Sequence, residues 1–351
     1  MVTLHVLWVA AGVAALVAAV LADPRLRAGV ALPDVGAVVV GSGYAWGLAA
    51  RAGGRPLVFG TLALAVGVVT VVTDRDVLRS GCAVMTAAVG AVLAVMATVP
   101  AVRFVGAVRE VLVALATAGI GALAAVGFEP VITLARFEYV TLAVALVIAL
   151  GLVYRLGAGF HGLGRRGLVT MVGGAVFLGA SLGYAELLRA YGTPGLVESA
   201  YGAVAWSREH LGAFPRPIQA VLGIPALVWG CHQRARRRQG WWASAFGVAA
   251  TVPLADLMVN PGLSLAQVGL IEAYTLPVGL LVGYLVVRAD LALTGPRGAG
   301  ARRAEEAAAL RPEPGRTHPS SDHEVGVVSR EVGVGVARSG SYSTRSGGCV
   351  A

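Results

Sequence analysis

The sequence predicts an all-α protein: a polytopic transmembrane helix bundle of nine or ten spans with a disordered C-terminal tail. Three observations carry that prediction. Up to about residue 290, long apolar runs follow one another with few charges, and about 20 such residues, each rising 1.5 Å, cross the ~30 Å hydrocarbon core of a bilayer. Hydrophobic residues fill 57% of the 351 positions and charged residues only 13%, against about 25% charged in a soluble domain. The chain holds 28 arginines and no lysine, and the arginines between the runs lie in short loops, as the positive-inside bias requires.

The first run, residues 4–22, ends in Val20, Leu21 and Ala22 before Asp23 and Pro24. Small residues thus stand where a signal peptidase cuts. No basic segment precedes the run, however, and a proline would sit second in the cleaved product, so it reads as a retained first helix. The second run, 35–50, is the doubtful one: its 16 residues (VGAVVVGSGYAWGLAA) reach ~24 Å as a helix, making either a short span or a segment lying at the interface. Runs 56–73, 80–99, 104–127, 132–154 and 167–188 follow, each bounded by arginine, proline or glycine. The last three, 217–231, 241–258 and 268–287, carry Pro225, Pro253 and Pro277. Each proline removes an N–H and tends to kink its helix, as in ordinary spans and in the broken helices of transport paths. Gly179-xxx-Gly183 and Gly279-xxx-Gly283 predict close helix packing.

These runs make residues 1–287 a transmembrane domain and 288–351 a cytoplasmic, largely disordered tail. The domain holds 19 Arg and 12 Asp/Glu, the tail 9 Arg and 7 Asp/Glu in a fifth of the length. Beyond a short helix-forming stretch at Arg302–Glu306 the tail turns to Pro, Gly and Ser, a composition that cannot bury a core. The densest basic loop, Arg234 with Arg236, Arg237 and Arg238, orients the chain with that loop and the C-terminus cytoplasmic. Ten spans then place 11 arginines inside and 8 outside; nine place 13 and 6, with the N-terminus outside. The charge rule favours nine, whereas the cost of leaving an apolar run in water favours ten. Trp241 and Trp242, just after the basic loop, read as interfacial anchors.

The net charge of +9 does not point to nucleic acid, because the arginines flank apolar runs rather than forming a patch. Cys82, Cys231 and Cys349 are far apart, without CxxC spacing or clustered histidine, so no metal site and no cofactor is expected. Cys349 has two residues after it where a prenylation box needs three. The expected partner is the lipid bilayer, and the sequence names no protein partner.

The acidic residues are the most suggestive set. On the ten-span layout 11 of the 12 fall towards the outer side and only Glu110 towards the cytoplasm. Glu138, Glu186, Asp256 and Glu272 lie within a turn or two of outer helix ends. A carboxylate in mid-bilayer costs about 2.5–3.5 kcal/mol and must face the bundle, a partner or water. These four are therefore candidates for binding a substrate or ion in an outward-facing cavity; alternatively they reach the headgroups and pair with Arg136 or Arg189. Glu110 has three alternative partners: Arg103, Arg109 or an arginine of the 155–166 loop. That loop, within YRLGAGFHGLGRRG (154–167), joins five glycines to His161, Arg165 and Arg166. Gly-rich backbone beside arginine can hold a phosphate or lipid headgroup, and it also makes an ordinary flexible turn. No P-loop is present. The connection 189–216 carries Glu198, Trp206, Arg208, Glu209 and His210, with no HExxH and no nucleophile motif, so His210 reads as a surface histidine.

The stretches GYAWGLAARAG (43–53), YRLGAGFHGLGRRG (154–167), LGAFPRPIQAVLGIPALVWG (211–230) and RRAEEAAALRPEPGRT (302–317) resemble those of an uncharacterised multi-pass membrane protein family of high-GC actinobacteria, over roughly residues 1–317. The resemblance implies a bacterial plasma-membrane setting and assigns no activity and no site residue. The absence of lysine fits a GC-rich coding sequence.

The function expected from these features is a transporter or permease-like role using an outward-facing acidic cavity. The alternatives are a non-catalytic membrane or envelope complex subunit and a membrane enzyme acting on a lipid-linked substrate; the sequence leans away from an enzyme.

Overall fold

The computed structural model describes residues 2–21, 32–158, 168–169, 171–181, 183, 191, 194–236 and 240–294. The chain divides into two units, Met1–Leu310 and Arg311–Ala351, and all described residues lie in the first. Among them every regular element is helical. The helices are α1 Val2–Leu21, α2 Leu32–Arg51, α3 Pro56–Thr73, α4 Asp76–Ala97, α5 Phe104–Gly127 and α6 Leu134–Val153. Then come α7 Met171–Ser181, α8 Pro194–Leu211, α9 Ile224–Arg234, α10 Gly240–Ala245, α11 Val248–Val259 and α12 Leu265–Thr294. Two π-helical turns, Tyr154–Ala158 and Gln219–Gly223, extend α6 and lead into α9.

Six helical stretches are long and apolar enough to cross a membrane: Pro56–Thr73, Asp76–Ala97, Phe104–Gly127, Leu134–Leu156, Gly240–Val259 and Leu265–Leu293. The last corresponds to the run expected at 268–287, but α12 continues to Thr294, past the expected start of the tail. From 295 onward the tail lies outside the described residues, as do Glu186 and the His161, Arg165 and Arg166 loop.

The core is built from small residues. Along α5, Ala107, Val111, Ala114, Ala118, Gly121 and Ala125 are buried at alternating spacings of four and three, which keeps one narrow stripe against α4. Lipid tails solvate apolar side chains as well as protein does, so membrane helices gain by close approach of small residues and the dispersion contacts this allows. Gly90 of α4 and Gly121 of α5 face each other where these two helices cross. A Cβ on Gly90 would stand 3.2 Å from the Gly121 Cα and 3.2 Å from the Tyr44 ring. Tyr44 fills the space this opens, and its hydroxyl donates to the Thr117 carbonyl at 2.7 Å.

The doubtful second run is α2, a 20-residue helix packed among α1, α3, α4 and α5. Its first turn meets the start of α4, where Arg79 donates to Asp34 at 3.1 Å. Its last residue, Arg51, donates to the Ala97 carbonyl at the end of α4, 3.0 Å away. α2 therefore runs alongside α4 for its whole length and is not a surface segment. Arg234 of α9 reaches the same end of α4, donating to the Thr98 carbonyl at 3.0 Å and to Thr98 Oγ1 at 2.6 Å. Two arginines thus satisfy carbonyls that a helix C-terminus leaves open.

The Arg234 guanidinium also lies 4.3 Å over the Trp241 ring. Trp242, expected as a second interfacial anchor, is only 2% exposed, because α10 is packed against α9 and α6. Of the two glycine pairs, Gly279 and Gly283 receive Ile224 and Val228 of α9, whereas Gly179 and Gly183 have no close neighbour among the described residues.

Candidate functional site

Between α8 and α9 the chain reads Phe214-Pro215-Arg216-Pro217. A proline disfavours the helical conformation in the residue before it, so Arg216 sits at the mouth of the next helix rather than inside it. Its backbone N–H donates to Thr275 Oγ1 of α12 at 3.0 Å, and that hydroxyl in turn donates to the Ile271 carbonyl at 2.7 Å. The guanidinium is thereby aimed into the bundle. Nη1 donates to Asp256 Oδ2 at 2.7 Å and to the Pro253 carbonyl at 3.2 Å, both on α11. Nη2 donates to Glu138 Oε1 of α6 at 3.2 Å. The three side chains are 22% (Arg216), 11% (Asp256) and 29% (Glu138) exposed.

One turn further on, Gln219 opens the π-helical turn and is fully buried. Its Nε2 donates to the Ala250 carbonyl at 3.0 Å and to both oxygens of Glu272 on α12, at 3.0 and 2.9 Å. Gln219 Oε1 is buried with no hydrogen-bond partner among the described residues. Pro225 follows two residues after the turn. A proline ring presses on the carbonyl four residues back and cannot donate to it, and a π turn is a common way to accommodate such a defect. Gly223, at the end of the turn, lies against the backbone of Ala249 and Ala250 so closely that any Cβ would collide with it. That close approach brings Gln219 within reach of the Ala250 carbonyl.

Three of the four acidic candidates, Glu138, Asp256 and Glu272, therefore come together from three helices around Arg216 and Gln219. Glu138 and Asp256 pair with Arg216; Arg189, one of the two arginines expected as partners, lies outside the described residues. Arg216 had been legible only as part of the 189–216 connection. Gln219 was not singled out at all, although it is the one amide in an otherwise apolar stretch from 217 to 231, and an amide there demands a partner. An open cavity of about 830 Å³ is lined by Glu129, Ile132, Leu134, Met258 and Val259 among others, and by none of the five side chains of this cluster. Leu134 is one turn from Glu138, and Met258 is two residues past Asp256.

A second arginine-centred group lies at the α4 and α5 ends. Arg79 meets Asp34 at 3.1 Å, Asp74 at 2.6 Å and Glu129 at 3.9 Å, and donates to the Phe128 carbonyl at 3.3 Å. Asp74 and Glu129 both have left-handed backbones, with φ of 48° and 49°. Glu110, by contrast, is buried near the Arg51 and Arg234 contacts, pairs with Arg109 at 2.7 Å and accepts the Val99 N–H at 2.8 Å. Most of these acidic residues thus collect at one set of helix ends; Glu110 stands apart with the arginines, as does Asp290 near the end of α12, which acts on His232 of α9. On α8, His210 Nδ1 is 2.9 Å from the Trp206 carbonyl, and its ring stacks on Trp206 at 4.9 Å, so it belongs to its own helix surface. Among the described residues no group of three His, Cys, Asp or Glu side chains is arranged to hold a metal ion.

An arginine shared between carboxylates of two helices, with a third carboxylate held by a neutral amide, can exchange partners when a charged group enters or leaves. Comparison with protein-family models, curated proteins and solved structures returned no match for this chain.

Proposed function

We propose that the protein is a transporter or permease of the bacterial plasma membrane, with the Arg216, Glu138, Asp256 and Glu272 group as its coupling site. The observation that carries this reading is the convergence of carboxylates from α6 and α11 on Arg216, with a third, from α12, held one turn away by Gln219, at a π-helical turn ahead of a proline-bearing helix. Charged groups within spans are costly and concentrate on ion and substrate paths, and interrupted helices line such paths. We read ten spans, with α1, α2, α7 and the 217–234 stretch added to the six apolar candidates. The passage of α2 alongside α4 supports counting it. Both termini then lie in the cytoplasm, the Arg216 and Arg79 groups face outward, and Arg51, Arg109 and Arg234 face inward.

The test needs no known substrate. A transport site must be reached by water from each side in turn. Glu272→Cys, in a chain lacking its three native cysteines, is expected to react with a membrane-impermeant thiol reagent in both right-side-out and inside-out vesicles. Labelling from one side only, or from neither, would refute transport through this site.

A further inference from the structure

We propose that Gln219 and Glu272 bind a small monovalent cation between the π-helical turn and α12. The inference rests on reading the cluster as a coupling site and adds the ion it takes. Asp256 lies against Arg216 at 2.7 Å, and Glu138 shares the same guanidinium at 3.2 Å. Glu272 has no ion-pair partner among the described residues; its hydrogen bonds come from the neutral Gln219 amide. Thr275, one turn along α12, is engaged with Arg216 and Ile271. No described cation therefore lies within ion-pair distance of Glu272, Arg216 acting on it only from beyond that range, and a carboxylate in that position needs a closer one.

The orphaned oxygen of Gln219 makes the same demand independently. The amide cannot simply be turned over, because Oε1 would then face two acceptors, the Ala250 carbonyl and the Glu272 carboxylate. Its present orientation is fixed, and Oε1 is left buried with nothing among the described residues to accept from. A proton on Glu272 would remove the charge and leave that oxygen unmet. A cation beside both groups satisfies the two at once, as amide, carbonyl and carboxylate oxygens do for hard cations. One carboxylate without an ion-pair partner among the described residues calls for a single positive charge, and those residues hold no group of three His, Cys, Asp or Glu side chains of the kind a divalent ion takes.

The experiment is thermal unfolding of the purified full-length protein in detergent, at fixed pH and ionic strength, with choline chloride replaced in turn by the sodium, lithium, potassium and ammonium salts. A ligand that binds only the folded state raises the midpoint with its concentration. The expected result is a saturable rise of several degrees with at least one of the four cations relative to choline, lost in Glu272→Gln. Equal midpoints in all five salts for the unaltered protein would overturn the proposal, whatever the variant does. So would a midpoint that responds to pH alone, or a full cation response retained in Glu272→Gln. Labelling of Glu272→Cys from both sides with no cation response would remove this inference and leave the transport reading. A cation response with labelling from one side only would do the reverse.

Discussion

Replacing Arg216 by glutamine removes the guanidinium that joins Asp256 of α11 to Glu138 of α6. Taking one partner from a buried ion pair costs about 3–5 kcal/mol, because the remaining charge is stranded. Here Asp256 is 11% exposed and Glu138 29%, so water screens part of the loss, chiefly at Glu138. A cost of about 2–3 kcal/mol follows, most of it at Asp256, which faces Arg216 at 2.7 Å. Asp256→Asn removes the complementary charge, keeps the shape, and is expected to cost about 1–2 kcal/mol as a lost charge-assisted hydrogen bond. The double variant strands no charge at position 256, so its cost should fall short of the sum by about 1.5 kcal/mol. Reversible unfolding in mixed detergent and lipid, followed by tryptophan fluorescence, gives the four free energies of the cycle. Additivity within about 0.5 kcal/mol, the behaviour of uncoupled sites, would refute the ion-pair account.

Other substitutions test the packing and the topology. Gly223→Ala puts a Cβ into the Ala249 and Ala250 backbone and should destabilise by more than the ~1–3 kcal/mol typical of overpacking. Gly81→Ala, with no atom within 4 Å, should instead be neutral or stabilising by up to about 1 kcal/mol. Tyr44→Phe deletes one hydrogen bond to Thr117 and should cost about 1 kcal/mol, read in the same unfolding assay. Glu110→Ala leaves the Val99 N–H without its acceptor, with an expected loss of about 1–3 kcal/mol. Ala28→Cys is expected to react with an impermeant thiol reagent from outside; reaction from the cytoplasmic side would instead favour nine spans.

Much of this organisation is legible in the one-dimensional pattern, because membrane insertion reads hydropathy and loop charge directly. The run from 104 to 127 maps onto α5 without adjustment. Clustering of acids away from most arginines also follows from composition along the chain. What escapes is pairing across distant segments. Arg216 and Glu138 are 78 positions apart, and nothing local to either says that they meet. The 217–231 run conceals a π turn, since Pro225 signals a disturbed helix but not how the backbone absorbs it. Trp242 was misread because aromatic residues beside a basic loop have the same composition whether they face lipid or, as α10 does, two neighbouring helices.

Arg51 and Arg234 converge on the last carbonyls of α4, and this gives the same two side chains work at two stages of the protein's life. In the proposed topology each first acts during insertion, where only its positive charge and its side of the membrane count, and lysine would serve equally well. After folding, Arg234 holds one carbonyl and one hydroxyl of Thr98 while covering an indole face, a task that depends on the flat, forked guanidinium. A lysine exchange at 51 and 234 should therefore leave biogenesis and orientation intact and loosen the mature bundle.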